Sequence, residues 1–248
     1  STAINLLSGT FRPNLGDWEN PSPDWEQVIT TFPRGELRDY LGLVSEGEVS
    51  IAVKPQYIDR LPRIFEGEVN ELLDRVDDRN EIVKYSELLG ISHILDRKLD
   101  ALSGGELQRV AICATLLKEA DVYFFDEPSS YLDIYERMRM VGVVRDMAER
   151  GKRVLVVEHD LAILDVLCDL VHVIYGERSA YGIFTPPRST RTAINAYLDG
   201  FLPEENVRIR DKPIRFLRGR TRGDGVGAPV LKWGSIEKTL GDFNLKTG

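Results

Sequence analysis

The stretch ADVYFFDEPSSYLD, residues 120–133, runs a short apolar segment directly into two adjacent acids, Asp126 and Glu127. The apolar segment does not alternate with polar residues, which is the pattern of a strand buried on both faces by crossover helices. A parallel strand delivers its carboxyl end to the crevice where α/β sheets bind ligands. The two carboxylates are therefore predicted to hold Mg²⁺ and to activate a water for phosphoanhydride hydrolysis. The alternative is that they only end a strand before Pro128, and this stretch alone leaves both open.

Composition bounds the class of protein. The 248 residues include 32 basic and 40 acidic residues, a net charge of −8, which argues against uniform wrapping of nucleic acid but allows a local basic patch. Cys113 and Cys168 lie in apolar helical patterns without CxxC spacing and are predicted to be reduced core thiols. No apolar run approaches the roughly 20 residues of a membrane-spanning helix, and no signal peptide is visible. We therefore expect a cytoplasmic protein without a membrane partner.

Apolar strands and amphipathic helices alternate in the second half of the chain, which predicts an α/β fold with a parallel sheet. A helix-loop-helix, with Ser22 as the cap of its first helix, is predicted earlier in the chain. The strand IAVK should end at Lys54 because Pro55 cannot donate to a ladder. The predicted helical regions are 1–8, 22–31, 34–44, 66–95, 106–118, 135–149 and 161–167, and the further strands are 121–125, 153–157 and 171–175.

The sequence LSGGE, residues 102–106, predicts a specialised helix start. Ser103 and Glu106 have the spacing of a capping box, but capping does not require two glycines. Gly104 and Gly105 remove side chains from the first turn, which exposes backbone N–H groups and the positive end of the helix dipole to an anion such as a phosphate. An ordinary capped amphipathic helix is the alternative reading.

Three further polar residues follow predicted strands or the acid pair. Gln56 comes just after IAVK, where its amide would contact both a metal and a water, although a glutamine there is more often solvent-exposed. His159 ends the strand after the acid pair and should emerge beside it at the same sheet edge, although a single histidine is more often a surface residue. Asp133 follows the acids, and its simplest role is the N-cap of the next helix.

Taken together, five motifs in this order resemble those of ATP-binding-cassette ATPases. The motifs are KPQY at 54–57, LSGGELQRV at 102–110, YFFDEP at 123–128, SSYLD at 129–133 and VVEHD at 156–160. The resemblance implies a P-loop NTPase cassette, in which a parallel-sheet core carries a helical signature subdomain. It also implies that ATP is hydrolysed between two cassettes clamped face to face, with Mg²⁺ as the metal.

The resemblance assigns roles to the matching residues. Asp126 is expected to bind the metal, Glu127 to act as the base on water, and His159 to contact the γ-phosphate. Gln56 is expected to act as both a metal ligand and a catalytic sensor of water. The nucleotide-binding candidates are Ser103, Gly104, Gly105, Glu106 and Asp133, of which the first three would grip the nucleotide of the opposing cassette.

One family motif is almost missing. The phosphate loop GxxxxGK[ST] should precede the first helix, and here only Ser1 and Thr2 match its end. Both are expected to bind nucleotide, and Ser1 also the metal. The chain is accordingly expected to lack the N-terminal strands and the phosphate loop of the cassette, and residues 1–248 alone are expected to bind ATP negligibly and to be inactive.

Other features resemble the first cassette of subfamily E, the soluble twin-cassette ribosome recycling factors. They are Tyr131 in the SSYLD motif, the helix-loop-helix, and the continuation YGERSAYGIFTPPRSTRTAINAYLDGFLPEENVRIR at 175–210. The implied division is a truncated first cassette (1–200), with a helix-loop-helix insertion (22–45) and a helical signature subdomain (60–118), a hinge (201–228), and the start of a second cassette (229–248).

The resemblance implies a second cassette of the same protein, the small ribosomal subunit with its rRNA, and a release factor or its stalled-ribosome relative as partners. The 4Fe-4S clusters of the subfamily would belong to an upstream domain that this sequence does not include. Residues 206–224 hold seven basic and two acidic residues, so the hinge is a better RNA contact than the insertion, although a solvated linker is the alternative. An ATPase subunit of an ABC transporter and a non-catalytic ribosome-binding fragment are the competing functions.

Overall fold

The computed structural model describes residues 2–17, 19, 23–177, 180–215, 234–240 and 243–247. At its centre lies a parallel sheet of three strands, β1 (Ile51–Lys54), β2 (Val122–Asp126) and β3 (Arg153–Val157), with β2 in the middle. Lys54 is in register with Phe125, and Asp126 with Val157. The carboxyl ends of the three strands therefore meet at one edge of the sheet.

The remaining elements surround this sheet or follow it. The helices are α1 (Thr2–Leu7), α2 (Trp25–Thr31), α3 (Glu36–Glu46), α4 (Leu61–Ile64), α5 (Val69–Asp74), α6 (Ile82–Leu88), α7 (Gly104–Leu117), α8 (Ile134–Glu149), α9 (Leu161–Leu167) and α10 (Thr190–Asp199). The other strands are β4 (Leu170–Val171), β5 (Ile174–Glu177), β6 (Tyr181–Phe184), β7 (Arg188–Ser189), β8 (Phe201–Leu202), β9 (Val207–Arg208), β10 (Ile236–Leu240) and β11 (Phe243–Thr247).

The apolar side chains of β2 are divided between two layers. Tyr123 and Phe125 belong to the main core, which also contains side chains of α5, α6, α7 and α8. Val122 and Phe124 belong to a second cluster on the other face, together with Ile4 of α1. Because both faces of β2 are covered, its sequence shows no alternation, as the sequence analysis predicted.

The predicted strand at 171–175 is wrong. The segment is split into β4, which pairs antiparallel with β7, and β5, which pairs antiparallel with β6. At the break, Val173 N donates to Thr185 Oγ1 and Thr185 N donates to Val173 O. These bonds direct the chain away from the parallel sheet, which has three strands within the described part of the chain.

Three predicted helix boundaries also differ from the structure. The helical region at 66–95 is interrupted, because the Asp77 carboxylate accepts hydrogen bonds from the backbone N–H groups of Arg79, Glu81 and Ile82. Helix α2 is capped by Asp24 rather than by Ser22, and Ser22 lies outside the described residues. Helix α7 begins at Gly104 rather than at residue 106, with Ser103 as its cap.

The carboxyl-terminal part of the described chain folds back on α10. The Ile209 and Ile214 N–H groups donate to the carbonyls of Gly200 and Leu198. Strands β10 and β11 form an antiparallel hairpin near the end of the chain. None of the helices in the described ranges is both long and apolar enough to span a membrane.

Candidate active site

Three polar side chains of the site contact the Glu127 carboxylate. Gln56 Nε2 donates to Glu127 Oε1 at 2.7 Å, and His159 Nε2 lies 3.2 Å from the same oxygen. Ser130 Oγ donates to Oε2 at 3.3 Å. The Glu127 side chain is 23% exposed and that of His159 is 79% exposed, so the cluster is open to solvent. Gln56 and His159 thus converge on the acid pair, as their positions after the strands predict.

Glu127 points into the site because its backbone leaves the strand conformation. Its φ is +48°, in the left-handed region that non-glycine residues rarely adopt. Its N–H still donates to Val157 O at 2.9 Å, so the turn starts directly from the sheet ladder. Such a conformation typically costs about 1–3 kcal/mol and persists only where surrounding contacts enforce it.

Lys54, for which the sequence predicts only the end of a strand, makes one of these contacts. Its side chain is fully buried, and Nζ donates to the carbonyl oxygens of Asp126 at 3.0 Å and Glu127 at 3.4 Å. Burial lowers the pKa of Lys54 to about 8, although the carboxylates of Asp126, Glu127 and Glu158 act in the opposite direction. A lysine ending an apolar strand directly before Pro55 was the available signal.

Gln108 of α7 is the second contact that the sequence analysis missed. This fully buried residue donates through Nε2 to the carbonyl oxygens of Glu127 at 2.9 Å and Pro128 at 2.8 Å. Its position within the motif LSGGELQRV was visible, but nothing in the motif indicates that the side chain reaches the end of β2. The contact joins the helix that Ser103 caps to the acid pair.

His159 is fixed by the turn between β3 and α9. The Asp160 carboxylate caps α9 by accepting from Ala162 N and Ile163 N, and Arg137 Nη1 of α8 contacts Asp160 Oδ2 at 2.7 Å. Glu158 accepts from the N–H of Ser129 at 2.8 Å and from that of His159 at 3.1 Å. The loops after β2 and β3 are therefore hydrogen-bonded to one another.

The predicted capping box at the start of α7 is present. Ser103 Oγ accepts from Glu106 N, while Ser103 N donates to Glu106 Oε2 at 2.8 Å. Ser103 Oγ also donates to Glu106 Oε2, at 2.7 Å. The two hydrogen bonds that this oxygen accepts from Ser103, and then the charges of Arg97 and Arg109, lower the pKa of Glu106 below its ordinary value of 4.5. Glu106 is thus held as a carboxylate by the helix start, and its nucleotide-binding role stays a prediction.

The two glycines have a packing role that the sequence analysis did not foresee. A Cβ added at Gly104 would lie 3.2 Å from Cδ1 of Tyr131, and one at Gly105 would lie 3.0 Å from the Tyr131 carbonyl oxygen. Tyr131 itself has a φ of +65° and is exposed. The glycines therefore let the SSYLD loop approach the start of α7 as well as leaving its first turn without side chains.

Asp133 is the N-cap of helix α8, which is the simpler of the two roles that the sequence predicts for it. Its carboxylate accepts from Tyr135 N and Glu136 N, both at 2.9 Å, and caps α8. Thr2 is the first residue of α1 and is exposed, while Ser1 lies outside the described residues. The nucleotide-binding roles of these three residues stay predictions.

The residues present fit a Mg²⁺ ion. Asp126 ends β2, almost fully buried beside Lys54 and Glu127, and its carboxylate and the Gln56 amide offer the oxygen ligands that this ion prefers. No cluster of three or more His, Cys, Asp and Glu side chains suited to a metal occurs in the part of the chain that the structure describes. Mg²⁺ is usually bound through one or two carboxylates, with substrate phosphates and water completing its coordination.

An acid pair at the edge of a parallel sheet, contacted by a glutamine and a histidine and joined to a glycine-started helix, defines an ATP-binding cassette. The family model described as ABC transporter matches residues 1–130, and the chain belongs to this family. ABC transporter E family member 1 of Arabidopsis thaliana is 40% identical over 250 residues, which cover 99% of this chain and 41% of that protein.

Two solved structures agree over the same extent. One, an archaeal ribosome recycling factor, aABCE1, in complex with the ribosomal stalk protein aP1, matches with 44% identity and a TM-score of 0.84. The other, a model of ribosome-bound archaeal Pelota and ABCE1, matches with 46% identity and a TM-score of 0.84. The matches cover 99% of this chain but only 47% and 41% of those chains. Within the family, the chain is a cassette of subfamily E, and it spans less than half the length of these relatives.

Proposed function

We propose that this chain is the first-cassette part of a twin-cassette ATPase that uses ATP hydrolysis to separate ribosomal subunits. The observation that carries the ATPase proposal is the convergence of Gln56 Nε2 and His159 Nε2 on one oxygen of the Glu127 carboxylate. The ribosomal part is supported by the archaeal relatives, which are a ribosome recycling factor and ABCE1 in a ribosome-bound complex with Pelota.

In the proposed mechanism, Glu127 is the general base that takes a proton from the attacking water. The hydrogen bond from Gln56 and the contact with His159 hold the carboxylate in one orientation, which is the geometry that a base needs. His159, being largely exposed, contacts the γ-phosphate. Asp126 and Gln56 would hold Mg²⁺, which would supply positive charge to neutralise the phosphates. The first turn of α7, at Ser103, Gly104 and Gly105, binds the triphosphate held by an opposing cassette.

The first experiment measures steady-state ATP hydrolysis by the full-length protein and its Glu127→Gln variant. We expect the variant to bind Mg-ATP normally and to lose about 10²–10⁴-fold in kcat, which is the usual contribution of a positioned base. Glu119→Gln is the matched control, because Glu119 lies before β2, at the opposite end of the strand. A Glu127→Gln variant with the wild-type rate would show that Glu127 is not the base.

The second experiment follows separation of ribosomes into subunits by light scattering, with ATP and with a non-hydrolysable analogue. We expect separation to require both nucleotide and the wild-type Glu127. The partners proposed for this step are the small subunit with its rRNA, a release factor or its stalled-ribosome relative, and the second cassette. Hydrolysis of ATP without any separation of subunits would leave the ATPase proposal standing and overturn the ribosomal one.

The proposed division of the chain is 1–200 for the cassette, 201–228 for the hinge and 229–248 for the start of the second cassette. The described part of the hinge packs against α10 through the hydrogen bonds of Ile209 and Ile214. Limited proteolysis of the full-length protein tests the division. We expect the first cut after residue 215, since the segment before it is hydrogen-bonded to the cassette.

A further inference from the structure

We propose that Lys54 and Gln108 act together as positioning residues, holding three consecutive backbone carbonyls so that the Glu127 carboxylate is presented to its partners. The inference rests on the proposed function of Glu127 as the base. Neither residue touches the reacting atoms in this account, because each acts through the backbone of the acid pair.

The geometry joins three elements at one turn. Lys54, from β1, donates to the carbonyls of Asp126 and Glu127, and Gln108, from α7, donates to those of Glu127 and Pro128. The Glu127 carbonyl therefore accepts from both side chains. This carbonyl belongs to the residue whose φ is +48°, so the two donors bind the backbone at the point where its conformation is least favourable.

Burial of the Lys54 ammonium group and the Gln108 amide costs folding free energy. Lys54 and Gln108 are fully buried, and taking an ammonium group or an amide out of water is unfavourable unless its hydrogen bonds are replaced. Within the described part of the chain, Gln108 Oε1 has no hydrogen-bond partner, although it is buried. An apolar residue of similar volume would avoid that cost at either position. We therefore infer that the site requires the N–H donors of Lys54 and Gln108, and not only the volume of their side chains.

The Gln108 contact also links two sites of the proposed enzyme. Gln108 lies one helical turn after Gly104 on α7, whose first turn is proposed to bind the triphosphate of the opposing cassette. A movement of α7 would be passed to the Glu127 carbonyl through Gln108 Nε2.

The test uses the full-length protein with the variants Lys54→Met and Gln108→Met, each of which puts an unbranched apolar side chain in place of the donor. We expect each to lower kcat for ATP about tenfold or more, while KM for ATP stays within about twofold, because positioning of a reacting group is worth factors of this size. We expect Gln108→Met to keep the wild-type Tm, since it removes two hydrogen bonds but also an unsatisfied buried oxygen.

Two controls separate positioning from a general loss of structure. Lys152→Met is the matched lysine control, because Lys152 Nζ also anchors a backbone carbonyl, that of Ala120, at the opposite end of β2, and we expect it to leave kcat unchanged. In a Glu127→Gln background, Lys54→Met and Gln108→Met should lower the residual rate by less than twofold, since their effect passes through the carboxylate.

Unchanged kcat in both variants would overturn the inference. So would an equal loss in Lys152→Met, or a full additional loss in the Glu127→Gln background, because either result is what a merely structural role produces. If Lys54→Met does not fold, the result for Gln108→Met decides. The proposed function fails separately: in that case the wild-type protein shows no ATP turnover, or Glu127→Gln turns over ATP at the wild-type rate.

Discussion

Gly104 and Gly105 differ in what an added methyl group would contact. At Gly104 it would meet the exposed side chain of Tyr131, which can move, whereas at Gly105 it would meet the Tyr131 carbonyl oxygen, which cannot move without the backbone. We expect Gly105→Ala to lower the free energy of unfolding by about 1–3 kcal/mol. Gly104→Ala should be near neutral, because the better helix propensity of alanine offsets a mild contact. Urea denaturation of the full-length protein measures both.

The variant Tyr131→Ala provides the control for this pair. It shortens the side chain that faces Gly104 and leaves the carbonyl that faces Gly105 in place. It should therefore remove any cost of Gly104→Ala and leave the cost of Gly105→Ala unchanged. Equal costs for the two glycine variants would mean that contact with Tyr131 does not determine either of them.

The thiol of Cys113 gives a second prediction at this scale. It is fully buried, and burial raises its pKa to about 12, so at mildly alkaline pH almost none of it is the reactive thiolate. In a Cys168→Ser variant of residues 1–248, which leaves Cys113 as the one cysteine of that sequence, we expect no reaction of the native protein with Ellman's reagent and rapid reaction in guanidinium chloride. Rapid labelling of the native protein would show that the α7 core opens far more easily than its packing implies.

The sequence indicated the site residues that follow strands and missed those that act through the backbone. Glu127, Gln56 and His159 were predictable because the carboxyl ends of parallel strands meet at one sheet edge. Lys54 and Gln108 were not, because their partners are carbonyl oxygens, which every residue carries and no motif records. Their contacts depend on the turn at Glu127, and a positive φ at a glutamate has no sequence signal.

At the scale of the element, the capping box of α7 makes the stability of the folded protein depend on pH in the acidic range. Hydrogen bonds from Ser103 are the main cause of the lowered pKa of Glu106. A carboxyl with a lowered folded pKa stabilises the native state above its ordinary pKa of 4.5, and this stabilisation is lost as the pH falls through the folded value. The unfolded chain binds more protons in that window, so the free energy of unfolding rises with pH there.

The variant Glu106→Gln tests this dependence. It should lower the free energy of unfolding by about 1 kcal/mol near neutral pH, the usual scale of a helix cap, and by clearly less in acid, where the wild-type carboxyl is protonated. Denaturant titrations at several pH values measure the difference between the two proteins. A difference that stays constant into acid would contradict the assignment of the charged cap to Glu106.

Element order was predictable from hydrophobic pattern, but the partners of the last strands were not. Residues 122–125 of β2 and 154–157 of β3 are apolar throughout, and the two strands pair in parallel as expected. The segment VHVIY at 171–175 is also mostly apolar, yet the hydrogen bonds between Val173 and Thr185 accompany two antiparallel pairings. Thr185 lies twelve residues further along the chain, so local pattern contains no information about this pairing.

At the scale of the whole molecule, the basic hinge divides into residues that bind the cassette and residues that face solvent. Arg210 donates to the carbonyls of Tyr197 at 2.9 Å and Leu198 at 3.3 Å, and its guanidinium lies over the Tyr197 ring. These carbonyls end α10, so Arg210 acts as a cap for that helix. Lys212 and Arg215 are exposed. Arg218, Arg220 and Arg222 lie outside the described residues.

This division predicts different effects of hinge substitutions on the proposed binding to the small ribosomal subunit. The slope of log K against log salt concentration is negative, and each Lys or Arg that neutralises a phosphate makes it steeper by roughly one. We expect the double variant Lys212→Ala/Arg215→Ala to make that slope shallower by about two. Arg210→Ala should leave the slope unchanged and lower the free energy of unfolding by about 1 kcal/mol, because its hydrogen bonds are made to the cassette itself.

Titrations of fluorescent subunits at several salt concentrations measure the slope. A slope that is unaffected by the double variant would mean that these two residues are only part of a solvated linker, and an altered slope in Arg210→Ala would mean that the hinge releases α10 when it binds RNA.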